Sequence, residues 1–442
     1  MANPVIGIFR VKELRERILF TVGMLVVFRI GAIFPIPGIN ARVLVNYFDS
    51  VTGAGSSSLV AYLDFFAGGA FSNFSVFMLG IMPYISMSII MQLLLIVFPR
   101  LKKISQEDGG RKKIQKWQRY GTVGVSLIQS FAVTRYAQSI PNLLNIGMGS
   151  FTFIAMLTVT AGTLFLMWIG EQITRRGIGN GISLLIFAGI VARLPAAIWD
   201  LITAVRNGTL NAVYVIMVLF MFVAVVTLVV YEQQGQRKIP VNYAKRVVGR
   251  KMYGSQNTYI PFKINPSGVI PVIFASSILT FPLQLAQSIG GGAGGSSWWA
   301  RFGDVLRPNG PLYTVLYVIL IVFFAYFYTQ VTLNPVEIAK QVRENGGSIP
   351  GIRSERIEEY LKKILNRIVL PGSLYLALIA VIPSFFQSAF NFPASISHIM
   401  GGTSLLILVG VDLDTMSQIE GLLKMHHHEG LTRKGRLRGR NL

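Results

Sequence analysis

Three adjacent histidines, His426, His427 and His428, form the densest group of metal-ligating side chains in this chain of 442 residues. Imidazoles so placed could hold a divalent cation, but with no cysteine and only His398 besides, a solvated polar tail is the simpler reading. The absence of cysteine also excludes disulfides, thiol catalysis and iron–sulfur ligation. No G-x-x-x-x-G-K-[ST] loop, H-E-x-x-H pair or G-x-S-x-G elbow occurs, so nucleotide binding by the P-loop route is not expected and no zincin or serine-hydrolase motif is present. No cofactor and no enzyme activity are expected. Among ionisable groups in apolar stretches, Arg29 reads either as a pathway charge or as a side chain held by a neighbouring helix or carbonyls. Glu171 and Asp414 fall near span ends, where snorkelling or pairing suffices, and Asp412 has no assignable role.

The elements that would position any site are membrane spans. The chain is 52% hydrophobic and only 14% charged, against about a quarter charged for an average soluble domain. Its mean hydropathy is +0.54. Ten apolar runs have a length suited to about 30 Å of hydrocarbon. They are 18–37, 74–98, 118–137, 151–172, 181–199, 211–231, 266–287, 311–333, 368–386 and 395–422. In the first, the apolar stretch Ile18–Phe34 is followed by Pro35-Ile36-Pro37-Gly38 rather than a small-residue cleavage site, so it is read as a permanent span.

Charge tests the count. Assigned alternately, the loops of one side hold 34 of the 41 Lys and Arg, and the other side holds Arg42, Arg135, Arg193, Arg206, Arg301 and Arg307. The basic side is cytoplasmic by the positive-inside rule, which puts both termini in the cytoplasm. Topology therefore accounts for most of the net charge of +22.

Two basic loops are too long for topology alone. Residues 232–265 alternate apolar and polar and break at Val248-Gly249, the pattern of a hairpin. Residues 334–367 carry a Gly/Pro tip, NGGSIPGIRSE, before a helix with Ile357, Leu361, Ile364 and Leu365 on one stripe. Such projections suit a large partner with an acidic surface or RNA phosphates. Ten spans divide into five and five, the arithmetic an inverted repeat requires. The expected organisation is an N-terminal half 1–200, a C-terminal half 201–423 and a basic tail 424–442.

Several stretches together resemble the SecY family of protein-conducting channel subunits. They are FRIGAIFPIPGI (28–39), FAGGAFSNFSVFMLGIMPYISMSIIMQLL (66–94), FLMWIGEQITRRGIGNGISLLIFAGIV (165–191), RKIPVNYAKR (237–246), GVIPVIFASSIL (268–279), IPGIR (349–353) and GGTSLLILV (401–409). The resemblance implies an all-α membrane protein with ten transmembrane helices. These form two pseudo-symmetric inverted halves around a pore, with a re-entrant plug helix at about 60–73. The plug would include Leu63, Phe65, Phe66, Gly68, Gly69 and Phe71. Its size agrees, since about thirteen residues at 1.5 Å each fall short of the bilayer core. The alternative is an external loop with an apolar face.

The same resemblance implies a pore ring of Ile81, Ile85, Ile186, Ile273 and Ile407, the first two on one helical face by their i, i+4 spacing. Periodicity alone would assign each to packing or lipid contact. It implies a lateral gate near Gln92, Gln129, Ser276, Ser277 and Thr280, for which ordinary helix–helix bonding is the alternative. Arg353 matches a basic position that engages the SecA motor, and Arg246, Arg250 and Lys251 match a docking surface for SecA or the ribosome. The residues after Arg353, SERIEEY, and the tail RKGRLRGRN depart from the family pattern. SecE-like and SecG-like small subunits, signal sequences and unfolded clients, and a bacterial cytoplasmic membrane complete what is implied. The rival function is secondary transport of a small solute, for which midplane ion ligands are sparse.

Overall fold

The structure is a computed structural model. It describes residues 11–40, 42–44, 47, 64, 67–138, 140–208, 212–243, 246–248, 251–253, 257–290, 305–306, 310–390 and 402–433. The chain divides into two compact units. The first comprises Met1–Trp199, Gln284–Ala300 and Ile407–Leu442, the second Asp200–Leu283 and Arg301–Leu406.

In the first unit, α1 (Lys12–Gly31) packs on α5 (Met148–Arg176), while α4 (Gly110–Gln138) packs on both α5 and α2 (Met82–Val97). Small polar side chains let α4 bury itself. Thr122, Ser126, Ser130 and Thr134 are all buried, and each hydroxyl donates to a carbonyl three or four residues earlier in its own helix. α2 stops where Pro99 pushes Phe98 into an extended conformation, φ −107° and ψ 102°. Pro99 then opens α3 (Pro99–Gln106), whose axis turns by 104° from α2. α3 carries Arg100, Lys102 and Lys103 and buries no residue.

α5 is joined to α6 (Gly181–Arg206) by a loop tied to two other helices of the unit. The Ile178 amide donates to Thr21 Oγ1 of α1 (3.1 Å), and the Gly179 amide to Gln418 Oε1 of α12 (Gly402–Arg433) (2.9 Å). In the first half of α4, Arg119 donates twice to Glu171 of α5, at 2.9 and 2.5 Å. Glu171 is thereby paired near the end of its helix, as its position suggested.

The second unit holds α7 (Ala212–Gln234), α8 (Ile270–Gly290, which continues into the first unit), α9 (Pro311–Thr332), α10 (Pro335–Glu344) and α11 (Ile357–Phe390). The expected hairpin is present. β1 (Gln236–Tyr243) pairs antiparallel with β4 (Asn257–Lys263), Ile239 opposite Ile260, and β2 (Arg246–Val248) pairs with β3 (Lys251–Tyr253) around the tip. β5 (Gly347–Ser348) joins the other edge of β1, which makes the sheet order β4-β1-β5. Alternation along β1 buries Ile239 and Val241 and exposes Lys238, Pro240 and Asn242. The buried face meets Ala339 and Val342 of α10 and the stripe Ile357, Leu361, Ile364 and Leu365 of α11. The two long basic loops thus share one apolar core.

Among the described residues, five helical stretches are long and apolar enough to cross a membrane: Met148–Arg176, Gly181–Arg206, Val215–Gln234, Pro311–Glu344 and Ser354–Ile382. The bent pair α2–α3 makes a sixth if taken as one span. A helix overlaps each of the ten apolar runs.

Two expectations need correction. The second span does not start at residue 74, because α2 begins at Met82 and residues 67–81 form successive turns with one isolated bridge. Of the plug, Asp64 is helical and residues 67–73 are turns. The apolar stripe at 357–365 and the run 368–386 belong to one continuous helix of 34 residues.

Candidate functional site

The turn segment leading into α2 is held by backbone first. Ser75 bridges Pro35: the Ile36 amide donates to the Phe74 carbonyl at 2.8 Å, and the Val76 amide to the Phe34 carbonyl at 3.0 Å. Within the segment, Gly69 N–H donates to Asp64 O (3.0 Å), Ser75 N–H to Ala70 O (2.9 Å) and Gly80 N–H to Phe77 O (2.8 Å). These bonds satisfy backbone that runs without helix through buried surroundings. Phe74 takes φ +42°, a conformation rare for a bulky side chain, and is 1% exposed. Its neighbours Ala70, Phe71, Ser75, Phe77, Met78 and Leu79 are buried as well.

Glycines let the segment come close to the helices around it. Gly68 has φ +65°, and a Cβ there would stand 2.6 Å from the Cα of Gly189 in α6. A Cβ on Gly162 of α5 would stand 2.1 Å from the Val76 carbonyl oxygen, and one on Gly31 of α1 would enter the Phe77 ring. Phe77 stacks between Phe28 and Phe165, with centroids 6.3 and 6.1 Å away.

Charge grips the same segment. Asp64 forms an ion pair with Arg193 of α6 and accepts the Ser72 amide on Oδ1 at 2.6 Å. Arg193 Nη2 also donates to Ser72 Oγ at 3.1 Å. Arg29 Nη1 of α1 donates to the Gly68 carbonyl at 2.8 Å, so this charge inside the first span ends on a backbone oxygen. Sequence reasoning missed Asp64, Ser72 and Arg193 as a group. The available signal was a lone carboxylate in the apolar stretch before Phe65, which needs a cation once buried.

Of the plug positions, Gly68, Gly69 and Phe71 lie in this segment, and Leu63, Phe65 and Phe66 fall outside the described residues. The segment runs directly into the constriction positions. Ile81 is the N-cap of α2, with Pro83 in the first turn, and the Ile85 amide donates to the Ile81 carbonyl at 3.1 Å. Ile81, Ile85, Ile186 of α6 and Ile407 of α12 are buried in the first unit, at 6%, 4%, 6% and 0% exposure. Ile273 of α8 is buried in the second, at 7%.

Gln92 and Gln129 lie on α2 and α4 of the first unit, and the buried Oε1 of each has no hydrogen-bond partner among the described residues. In the second unit, Ser276 and Ser277 each donate to the Ile273 carbonyl at 2.8 Å, and Thr280 donates to the Ser276 carbonyl at 2.7 Å. Arg353 is exposed at the N-cap of the 3₁₀ turn Ser354–Arg356. Arg246 and Lys251 belong to β2 and β3, and Arg250 lies outside the described residues. Asp412 is exposed on α12. No group of three or more His, Asp or Glu that could hold a metal occurs among the described residues.

The SecY family model matches residues 75–416. The chain is 47% identical over 429 residues to the protein translocase subunit SecY of Borreliella burgdorferi, covering 96% of each. A solved protein-conducting channel superposes with a TM-score of 0.66 at 20% identity, covering 92% of this chain and 91% of that one. A second structure concerns a SecY protein whose plug domain stabilises the closed state of the translocation channel and maintains a membrane seal. It superposes with a TM-score of 0.63 at 20% identity, covering the same shares.

Proposed function

This chain belongs to the SecY family, and we propose that it is the channel through which unfolded secretory polypeptides cross the bacterial cytoplasmic membrane. Hydrophobic segments leave the same channel sideways into the bilayer. The observation that carries this reading is 47% identity to a translocase subunit over 96% of the chain, which also sets aside solute transport. In this reading both termini are cytoplasmic, and the two halves are 1–200 and 201–423, followed by the tail 424–442.

Ile81, Ile85, Ile186, Ile273 and Ile407 form the constriction. Branched apolar side chains exclude water and ions by dewetting when no client is present. They also yield to an extended chain, because they make no specific bonds that must first be broken. The segment at about 60–73 is the stopper, and the buried, cross-braced seat of its described residues supports that role. Gln92 and Gln129 on one side and Ser276, Ser277 and Thr280 on the other form the seam that opens to lipid. The unpaired oxygens of the two glutamines support this, since they are acceptors left for a partner.

This chain supplies no energy source of its own. The shared core of the two cytoplasmic loops supports a docking platform for SecA or the ribosome, with Arg353, Arg246, Arg250 and Lys251 as its contacts. SecE-like and SecG-like subunits complete the assembly.

The test is a stalled secretory precursor presented to channels with a photoreactive residue at each of the five isoleucine positions. Adducts are expected at all five and not at Phe153 or Phe220, which are 72% and 75% exposed on the helices. Adducts at the exposed positions alone would overturn the reading.

A further inference from the structure

We infer that Arg193 is a latch: its ion pair with Asp64 holds the stopper segment on α6 and sets how readily that segment leaves. The inference rests on the stopper reading above and concerns its control.

Gly189 and Arg193 are four residues apart on α6 and so lie on one face. Gly189 receives the Gly68 backbone, and Arg193 reaches over the same turn. A Cβ on Gly69 would stand 3.3 Å from the guanidinium carbon, so the bare glycine leaves the cation room to lie close. Asp64 closes the turn on itself by accepting both Ser72 N–H on its carboxylate and Gly69 N–H on its carbonyl. Arg193 joins the two ends of that turn by pairing with Asp64 and donating to Ser72 Oγ. Arg29 fixes the middle by donating to the Gly68 carbonyl. Two cations from two helices thus grip one turn.

A charged grip and apolar packing differ once the segment lets go. Buried greasy surface resists exposure in proportion to its area, whereas Asp64 and Arg193 regain water when they part. Such a pair fixes one seated register while keeping departure reversible. Removing the cation alone leaves a buried carboxylate unpaired, which favours the unseated state.

The experiment measures ion flux through membrane vesicles containing the full chain, with Arg193→Ala, Arg193→Lys and the exchange of Asp64→Arg with Arg193→Asp. A Ser75→Cys reporter, fully buried in the seated segment, is labelled in parallel in each background. Arg193→Ala should raise resting flux and labelling by about tenfold or more, with Arg193→Lys intermediate. The exchange should recover a clear part of the loss in both, as a direct pair requires, although Asp64→Arg forfeits the acceptor for the Ser72 amide. Parental flux and labelling in Arg193→Ala, or leakage that the exchange fails to repair, would overturn the latch. Deleting residues 64–72 separates the two ideas. A leaking deletion beside a silent Arg193→Ala removes the latch and leaves the stopper, whereas a silent deletion removes the stopper itself.

Discussion

Replacing Gly68 by alanine tests the seat of the turn segment with a single added carbon. The glycine sits at φ +65°, and the left-handed conformation costs an L-residue about 1–2 kcal/mol. The new Cβ would stand 2.6 Å from the Gly189 Cα, which is helix backbone and cannot rotate aside. Overpacking of that kind costs about 1–3 kcal/mol. Together about 2–5 kcal/mol shifts the ratio of seated to unseated segment by roughly 30- to 4,000-fold. Gly80→Ala is the matched control. Its φ is also positive, +56°, but the nearest atom to the added carbon is 3.8 Å away, so only the conformational part applies. That part corresponds to about 5- to 30-fold. The chain contains no cysteine, so Ser75→Cys gives a single thiol whose labelling rate follows the open fraction. Labelling should rise much more in Gly68→Ala than in Gly80→Ala. Equal acceleration would refute the close approach to Gly189, and no acceleration in either would refute the seat as a whole.

Two further outcomes concern the two basic loops. Arg353→Glu should lower motor-driven export by about tenfold or more while membrane insertion and protein level stay normal, because the residue is exposed and supports no core contact. Quantitative export of a secretory precursor alongside immunoblotting checks this, and unchanged export would remove Arg353 from the docking surface. Leu361→Ala, at a position with no exposure, should destabilise the shared core of the two loops by about 2–5 kcal/mol. Limited proteolysis should then cut within 232–265 sooner than in the parent, and an unchanged pattern would argue that the hairpin folds without that core.

The elements of the two basic loops were legible because their periods differ. Alternation along Lys238 to Asn242 marked a strand, and the i, i+4, i+7 spacing of Ile357, Leu361 and Ile364 marked a helix face. Their union was not legible. β1 meets β5 across more than a hundred residues, and nothing local to Gly347-Ser348 specifies a partner strand. The turn segment misled for another reason. Phe74 to Gly80 is as apolar as the helix that comes after it, and hydropathy measures transfer to lipid without recording backbone conformation. Positive φ at Gly68, Gly69, Phe74 and Gly80 is what breaks the helix, and only three of those four are glycine. The Asp64–Arg193 pair joins side chains far apart in sequence, so the carboxylate pointed to a need without naming what meets it.

The length of α11 has a mechanical consequence. Its 34 residues at about 1.5 Å each make a rod of roughly 50 Å, with one end in the core beside Arg353 and the other among the apolar spans. Pro371 has no N–H to give the carbonyl of Arg367 and Pro383 none for that of Ile379, so the rod lacks a backbone bond at two points. Beside the first, Gly372 touches the root of the hairpin, where an added Cβ would stand 2.8 Å from the Ile264 carbonyl oxygen. A push on the tip beside Arg353 is therefore not absorbed by slack chain. It is passed along the helix, which bears on the foot of the hairpin where Gly372 meets Ile264.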